Sequence, residues 1–342
     1  MSAESALPTD RSKRVRVVAI QPALRIGEVD WNLKRCADLV TQAAAEHNPD
    51  IIMLPEATTS PNAFHPSMND VARPIDGAPL QLFRRLAQET GAMVGAGFIA
   101  VRGQETRGSY ALCEPDGSVH LHDKDLPSFW ENAYYRPGHD DGIAGTSRGP
   151  IGLALGWEWG RTKTCERLLG KVGLIGGGMH FPSYPDWALT RPWFKGRDEQ
   201  LFTQYGRELP GRVARFLGVP AVHPSHVGEF VMHTPGVPGL KWRSHMIGQT
   251  QITDADGLRL AYMSYEDGEG YIAADVTMES DPTPRDPLPT TFWNSEFPLS
   301  AHAVWLAGNA HGRVSYRVKS LLGRHRWQPG SDLPDHVPAN VI

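Results

Sequence analysis

Three cysteines in 342 residues, Cys36, Cys113 and Cys165, are too few and too scattered for a disulfide framework or a zinc cluster. They fit a reducing, cytoplasmic setting. Positive charge is short as well: 34 Lys and Arg stand against 38 Asp and Glu, a net charge of −4, so no basic field is available to hold nucleic acid. Nowhere do about 18 uncharged apolar residues run together, so no membrane span is expected. The opening stretch is polar and lacks the apolar run of a secretory signal, and residues 1–14 are expected to form a flexible N-terminal segment. Metal and cofactor motifs are missing too. His120 with His122, and His223 with His226, are pairs without a third ligand at zinc spacing, and Gly176-Gly177-Gly178 is followed by no phosphate-binding fingerprint. Neither a metal nor a cofactor is expected.

Glycine (35) and proline (28) are plentiful, but ten Trp and nine Tyr are spread among them, which reads as tight turns around a large core rather than disorder. Val15–Ile20 is a β-branched run that predicts a buried strand. Asp30 can cap a helix to His47 whose apolar positions Leu33, Cys36, Ala37, Val40 and Ala44 follow helical spacing, and Asn48-Pro49 stops it. Ile51–Leu54 is a second short strand, so the chain opens β-α-β with a parallel pairing. A helix over Pro79–Thr90 closed by Gly91, a strand over Met93–Ala100, and a hairpin about Pro115-Asp116-Gly117 follow. Further on come a strand at Ile151–Leu155, a helix over Arg161–Leu169, a strand at Val172–Ile175, a helix over Asp198–Leu217, and two or three strands between Lys241 and Asp275. Two layouts accommodate this order: a four-layer αββα sandwich, or a single doubly wound sheet. Residues 15–280 form the main domain, and the proline-rich residues 281–342 an extension that could sit at an oligomer interface.

Three places put polar residues at the end of an apolar strand, where open α/β folds bind their ligands. Glu56 follows Met53-Leu54-Pro55; a carboxylate there is costly unless it is paired or exposed in a cleft. His122-Asp123-Lys124 ends a hairpin strand, with Glu131 seven residues beyond the lysine, and a buried lysine can hold an oxyanion as a fixed positive charge. Gly156-Trp157-Glu158-Trp159 ends Gly152–Leu155, where an abrupt turn into a helix forms an elbow that presents backbone N–H groups to a pocket. Taken singly, each has a plainer reading: a capping carboxylate, a solvated charged turn, a tight glycine turn.

In order and spacing, Leu54-Pro55-Glu56, His122-x-Lys124 with Glu131, and Leu153–Trp159 together resemble the three signature blocks of the nitrilase (carbon–nitrogen hydrolase) superfamily, and Gly248–Gly257 resembles its late strand block. The resemblance covers about residues 15–280. It implies an αββα sandwich that forms homodimers or larger homo-oligomers, and an enzyme that hydrolyses C–N bonds of a small nitrile or amide. It implies Glu56 as base, Lys124 as stabiliser of the tetrahedral intermediate and Glu131 as assisting carboxylate. Trp157-Glu158 resembles the nitrilase branch more than the amidases.

At the position where that superfamily carries its nucleophilic cysteine, this chain has Gly156, which cannot form an acyl-enzyme. Cys165 is nine residues on, in a helix, and reads as a packing residue. Three accounts are open: a nucleophile knock-out, an inactive relative that binds or scaffolds without turnover, or different, non-covalent chemistry in the retained pocket. Substrate contacts are expected from Trp157, Glu158, Gly178, His180, Trp130 and Tyr134, within an aromatic set that also includes Phe129, Tyr135, Phe181, Tyr184, Trp187, Trp193 and Phe194.

Overall fold

The computed structural model describes residues 12–189, 192–296 and 299–322. The first sheet takes β1 (Ser12–Gln21), β2 (Ile51–Met53), the two-residue β3 (Arg73–Pro74), β4 (Met93–Arg102), β5 (Glu105–Cys113) and β6 (Val119–Asp123). The second takes β7 (Ile143–Thr146), β8 (Gly149–Leu153), β9 (Leu174–Gly176) and β10 (Ala221–His223); after a separate hairpin of β11 (Glu229–His233) and β12 (Lys241–His245) it adds β13 (Thr250–Thr253) and β14 (Arg259–Met263). β15 (Gly270–Glu279) returns to the first sheet, antiparallel to β1. The first sheet runs β15-β1-β2-β4-β5-β6, with β3 on β4, and the second β14-β13-β10-β9-β8-β7. β1, β2 and β4 are parallel, as the β-α-β opening requires.

Side chains alternate across a strand, and β1 shows what that does here. Val15, Val17 and Ala19 join Ile51, Met53, Tyr110, Leu153, Leu174, Val222 and Ile252 in a buried layer between the two sheets. Val18 and Ile20 face the other way, onto Leu33, Cys36, Val40, Phe83 and Leu86 of α1 (Val29–His47) and α2 (Ala78–Thr90). On the outer face of the second sheet, α3 (Thr162–Leu168) and α4 (Glu199–Leu217) bury Cys165, Leu168, Leu209, Val213 and Leu217. The layers are therefore α-β-β-α. The single doubly wound sheet is excluded because β1 and β2 are covered by helices on one face only and by a second sheet on the other.

Two helices stop where their residues call for it. Asn48 takes φ 44° and its N–H reaches the Ala44 carbonyl, while Gly91 takes φ 68° and bonds Ala87, both left-handed stops. Several boundaries differ from expectation by one to three residues, two of them in the opening β-α unit. Asp30 lies inside the first turn of α1 rather than capping it; Glu28 precedes the helix with no side-chain cap. β1 begins at Ser12, three residues before the β-branched run, because the ladder with β15 extends to the pair Ser12–Glu279. Of the expected flexible segment 1–14, residues 12–14 are thus strand, and residues 1–11 lie outside the described residues. Within the extension, α5 (Leu299–Leu321) folds back onto its own chain at the short 3₁₀ turn Phe129–Ala133. Residues 323–342 lie outside the described residues, as does the Trp193 side chain. Among the described residues, no helix is long and apolar enough to cross a membrane.

Candidate active site

β2 ends against Gly95 of β4, and the chain after Pro55 passes Gly97, where a Cβ would stand 2.8 Å from the Glu56 Cα, so it can run close enough to turn Glu56 inward. Tyr110 Oη donates to the Leu54 carbonyl (2.9 Å) and the His226 ring bonds the Glu56 carbonyl (2.6 Å). β6 delivers Lys124, whose N–H reaches the Gly108 carbonyl at 2.8 Å. Glu131 sits in Phe129–Ala133, its carboxylate accepting the Ser128 N–H at 2.7 Å across a reciprocal cap. β8 leads to Gly156, in the left-handed region at φ 52°, where its N–H donates to the Gly178 carbonyl (3.1 Å).

These segments, far apart in sequence, meet at one buried cluster. The Lys124 ammonium donates to Glu56 Oε2 at 2.7 Å and to both oxygens of Glu131 at 2.9 Å. A ring nitrogen of His180 lies 3.1 Å from Glu56 Oε1, and Asn62 Nδ2 donates to Glu131 Oε1 at 3.0 Å. All of these groups are nearly or fully buried. Burial works against the charge of Glu56, but Lys124 and then His180 more than offset it and hold its carboxyl down at about 2. Burial also opposes the Lys124 ammonium, and Glu131 and Glu56 outweigh it and raise its pKa above the ordinary value. Glu56 and Lys124 form an ion pair within a hydrogen-bonded unit. Glu56, Glu131 and His180 bring three ligand atoms within 4.8 Å of one another, a grouping that sequence spacing did not reveal. The Lys124 ammonium already supplies, against both carboxylates, the positive charge a metal ion would bring.

Gly156 faces this cluster directly. A Cβ there would stand 2.4 Å from Glu56 Oε1 and 2.5 Å from Lys124 Nζ, closer than any real side chain tolerates. The three thiols are elsewhere and buried; burial pushes Cys165 and Cys113 up to about 12 and Cys36 higher still. Cys165 packs beside Asn294 in the core between α3, α4 and their sheet.

Trp130, Trp157, His180 and Phe129 line a cavity of about 10 Å³ at the charged cluster, the least that holds one water. Beside it lies a second cavity of about 30 Å³ among Phe129, Trp130, Trp157, Phe181, Phe202 and Trp242. Trp157 stacks on Phe181 at 4.4 Å, and Trp130 Nε1 donates to the Asn62 carbonyl. The other expected contacts lie apart. Glu158 lines neither cavity: it is fully buried, it accepts the N–H of Leu155 and of Asp125 at 2.8 Å each, and it bonds His122 at 3.0 Å. It ties the elbow to the segment after Lys124. Gly178 serves through its carbonyl on Gly156 rather than at a cavity wall. Tyr134 also lies outside both cavities, its hydroxyl bonded to the backbone of His65. Asn62, Ser128 and Tyr135, whose hydroxyl bonds Glu131, complete the cluster and were not identified as polar partners from the sequence. Asn62 stands six residues past Glu56 without any pattern to mark it.

Behind the elbow a second charged network runs Asp140–His122–Glu158, with Asp125 held by Arg161 and Arg167. Burial opposes protonation of His122, but Glu158 and Asp140 raise it to about 10.

Residues 14–167 match the family model for carbon-nitrogen hydrolase. No curated protein matches the chain by sequence. Among solved structures, the carbon-nitrogen hydrolase from Helicobacter pylori G27 superposes with a TM-score of 0.64 at 19% identity, covering 77% of this chain and 89% of that one. Nit3 from Saccharomyces cerevisiae, a member of branch 10 of the nitrilase superfamily, gives 0.58 at 16%, covering 78% and 90%. A mutant of the amidase from Nesterenkonia sp. AN1, with acrylamide added at its active site cysteine, gives 0.56 at 14%, covering 85% and 99%. Residues 14–167 are thus similar to the carbon–nitrogen hydrolase family, and the chain shares its fold with these solved structures.

Proposed function

We propose that this protein takes a small nitrile- or amide-type molecule at the Glu56–Lys124–Glu131 cluster and acts on it without a covalent acyl-enzyme. The observation that carries this reading is the geometry at Gly156, where the Glu56–Lys124 pair fills the volume a nucleophile's Cβ would need. The superfamily pattern puts a cysteine side chain at this position. Here the acid and the amine close over it.

Water then replaces the thiol. Its proton passes to the Glu56 carboxylate as its oxygen bonds to the nitrile carbon. The C–N π electrons go to nitrogen, which takes a proton from Lys124, and the imidic acid tautomerises to the amide. With an amide, the C=O π electrons go to oxygen as water adds and gives its proton to Glu56. Nitrogen takes a proton from Lys124, the C=O re-forms as the C–N bond breaks and ammonia leaves, and the proton on Glu56 returns to Lys124. Glu56 at about 2 is a weak proton acceptor in the closed cluster, so a ligand must first draw Lys124 towards itself, which raises Glu56 into a useful range. The aromatic cavity suits a short apolar group on such a ligand.

Ammonia release from a panel of small nitriles and amides tests the reading, with Glu56→Gln and Lys124→Met alongside. Turnover is expected to fall by about 100-fold or more in Glu56→Gln, with no adduct mass on the intact protein. A covalent adduct on a cysteine, with turnover lost in Cys165→Ala, would overturn it. One observation favours a second reading, a binding or scaffold protein: the Lys124 ammonium is already shared between two carboxylates. Calorimetric binding of acetamide or acetonitrile without turnover would select that reading.

Self-association belongs to the same proposal. Leu306, Val314 and Val318 stand exposed at eight- and four-residue spacing along α5, with Leu322 just past its end, an apolar row that a second copy would cover. Sedimentation as a monomer at micromolar concentration would remove it. A cytoplasmic location rests on the three free thiols.

A further inference from the structure

The outer face of α5 bears on assembly; its inner face bears on the site. We infer that α5 is a working part of the candidate site and that Asn309 is its positioning residue, holding the turn that carries Glu131. The inference rests on reading Glu131 as a site residue, as above.

Phe129 takes φ 54°, a left-handed conformation that a bulky side chain keeps only where its surroundings hold it. Two residues later comes Glu131. The buried Asn309 Oδ1 accepts the Phe129 N–H at 2.8 Å, and the Asn132 Nδ2 at 2.8 Å. One side-chain oxygen thus grips the turn on both sides of Glu131. The helix reaches this depth because Gly308 and Gly312, one turn apart, lie against it. A Cβ on Gly308 would stand 3.1 Å from Phe129 Cα, and one on Gly312 would stand 2.8 Å from Asn132 Cβ and 2.9 Å from the Phe129 carbonyl oxygen. Small residues at this spacing let a helix approach backbone closely. Further along, Lys319 donates to Asn69 at 2.8 Å and lies 4.3 Å over the Tyr134 ring, while Arg136 lies 5.0 Å over Tyr316. At its other end Ala301 and Val304 wall the aromatic cavity.

The consequence runs through Glu131 to Lys124. Both Glu131 oxygens hold the ammonium, which is 1% exposed. Without the Asn309 acceptor the turn relaxes, and the amine loses its cover. Hydrogen exchange over residues 126–135, and acetylation of Lys124 by acetic anhydride read by peptide mass, measure this on the full chain with no ligand. Asn309→Leu is expected to speed both by about ten-fold, the factor that corresponds to one buried N–H left without its acceptor, with exchange in the β1–β15 ladder unchanged. Asn132 Nδ2 keeps the Pro127 and Phe129 carbonyls, while the Phe129 N–H loses its partner. Asn309→Asp keeps the accepting oxygen and is expected to restore wild-type protection. Gly312→Val, which pushes the helix off without touching Asn309, is expected to behave like Asn309→Leu. Unchanged rates in Asn309→Leu, equal acceleration in the β1–β15 ladder, or an Asn309→Asp as labile as Asn309→Leu would each overturn the inference. If Asn309→Leu does not accumulate, Asn309→Ser carries the same comparison. Because no substrate is used, failure of the proposed reaction and failure of this inference are separate results.

Discussion

Substituting Gly156→Ala adds one carbon, and the structure says where it goes: 2.4 Å from a Glu56 oxygen and 2.5 Å from the Lys124 nitrogen. At φ 52° an L side chain costs roughly 1–2 kcal/mol on conformation alone. Relieving the contacts requires the ion pair to retreat, and disrupting a buried pair outright costs about 3–5 kcal/mol. The pair stretches rather than disappears, so a total of about 2–5 kcal/mol is expected. Chemical denaturation of four proteins measures it: wild type, Gly156→Ala, Glu56→Ala and the double variant. Glu56→Ala removes the nearer contact and gives Lys124 somewhere to move. The cost of Gly156→Ala should therefore drop by at least about 1 kcal/mol in that background, a coupling typical of touching residues. A cost below about 0.5 kcal/mol, or an identical cost in both backgrounds, would refute the claim that the charged pair occupies the nucleophile's volume.

The two buried charge networks each make a prediction about pH, and the thiols make a third. Glu56 falls from an ordinary value near 4.3 when unfolded to about 2 when folded, so its contribution to stability is complete above about pH 4.3 and is lost as pH falls towards 2. Denaturation midpoints from pH 2 to 5 should show a shallower acid limb in Glu56→Gln, and an unchanged limb would count against the pairing. His122 rises from about 6.5 unfolded to about 10 folded, so its contribution is complete below about pH 6.5 and disappears as pH climbs to 10. His122→Gln should flatten stability over pH 6.5–10, and a wild-type slope in the variant would show that Asp140 and Glu158 do not hold an imidazolium. The buried thiols should react with a disulfide reagent at least about 100-fold slower in native than in denatured protein; fast native labelling of Cys165 would reopen it as a nucleophile.

The sequence by itself determined the elements and marked the residues that come together. The β-branched run Val15–Ile20, the stops at Asn48 and Gly91, and the Asp116-Gly117 turn are local physics, and each appears where its residues call for it. Glu56 and Lys124 just past strand ends, with Glu131 seven residues on, marked a candidate site because a buried charge needs a partner, and each of these charges found one in the others. Tertiary structure decided what has no local cause. Glu158 reads as a pocket residue beside Trp157, yet it turns back to the Leu155 and Asp125 amides because those donors are closed off from water and need an acceptor. Gly156 reads as a missing thiol, but only the assembled sheets show that Glu56 and Lys124 stand in the space. Asn309 is one polar residue in a helix more than 170 residues from the turn it holds, a pairing that depends on how two glycines let that helix settle and on nothing nearer in the chain.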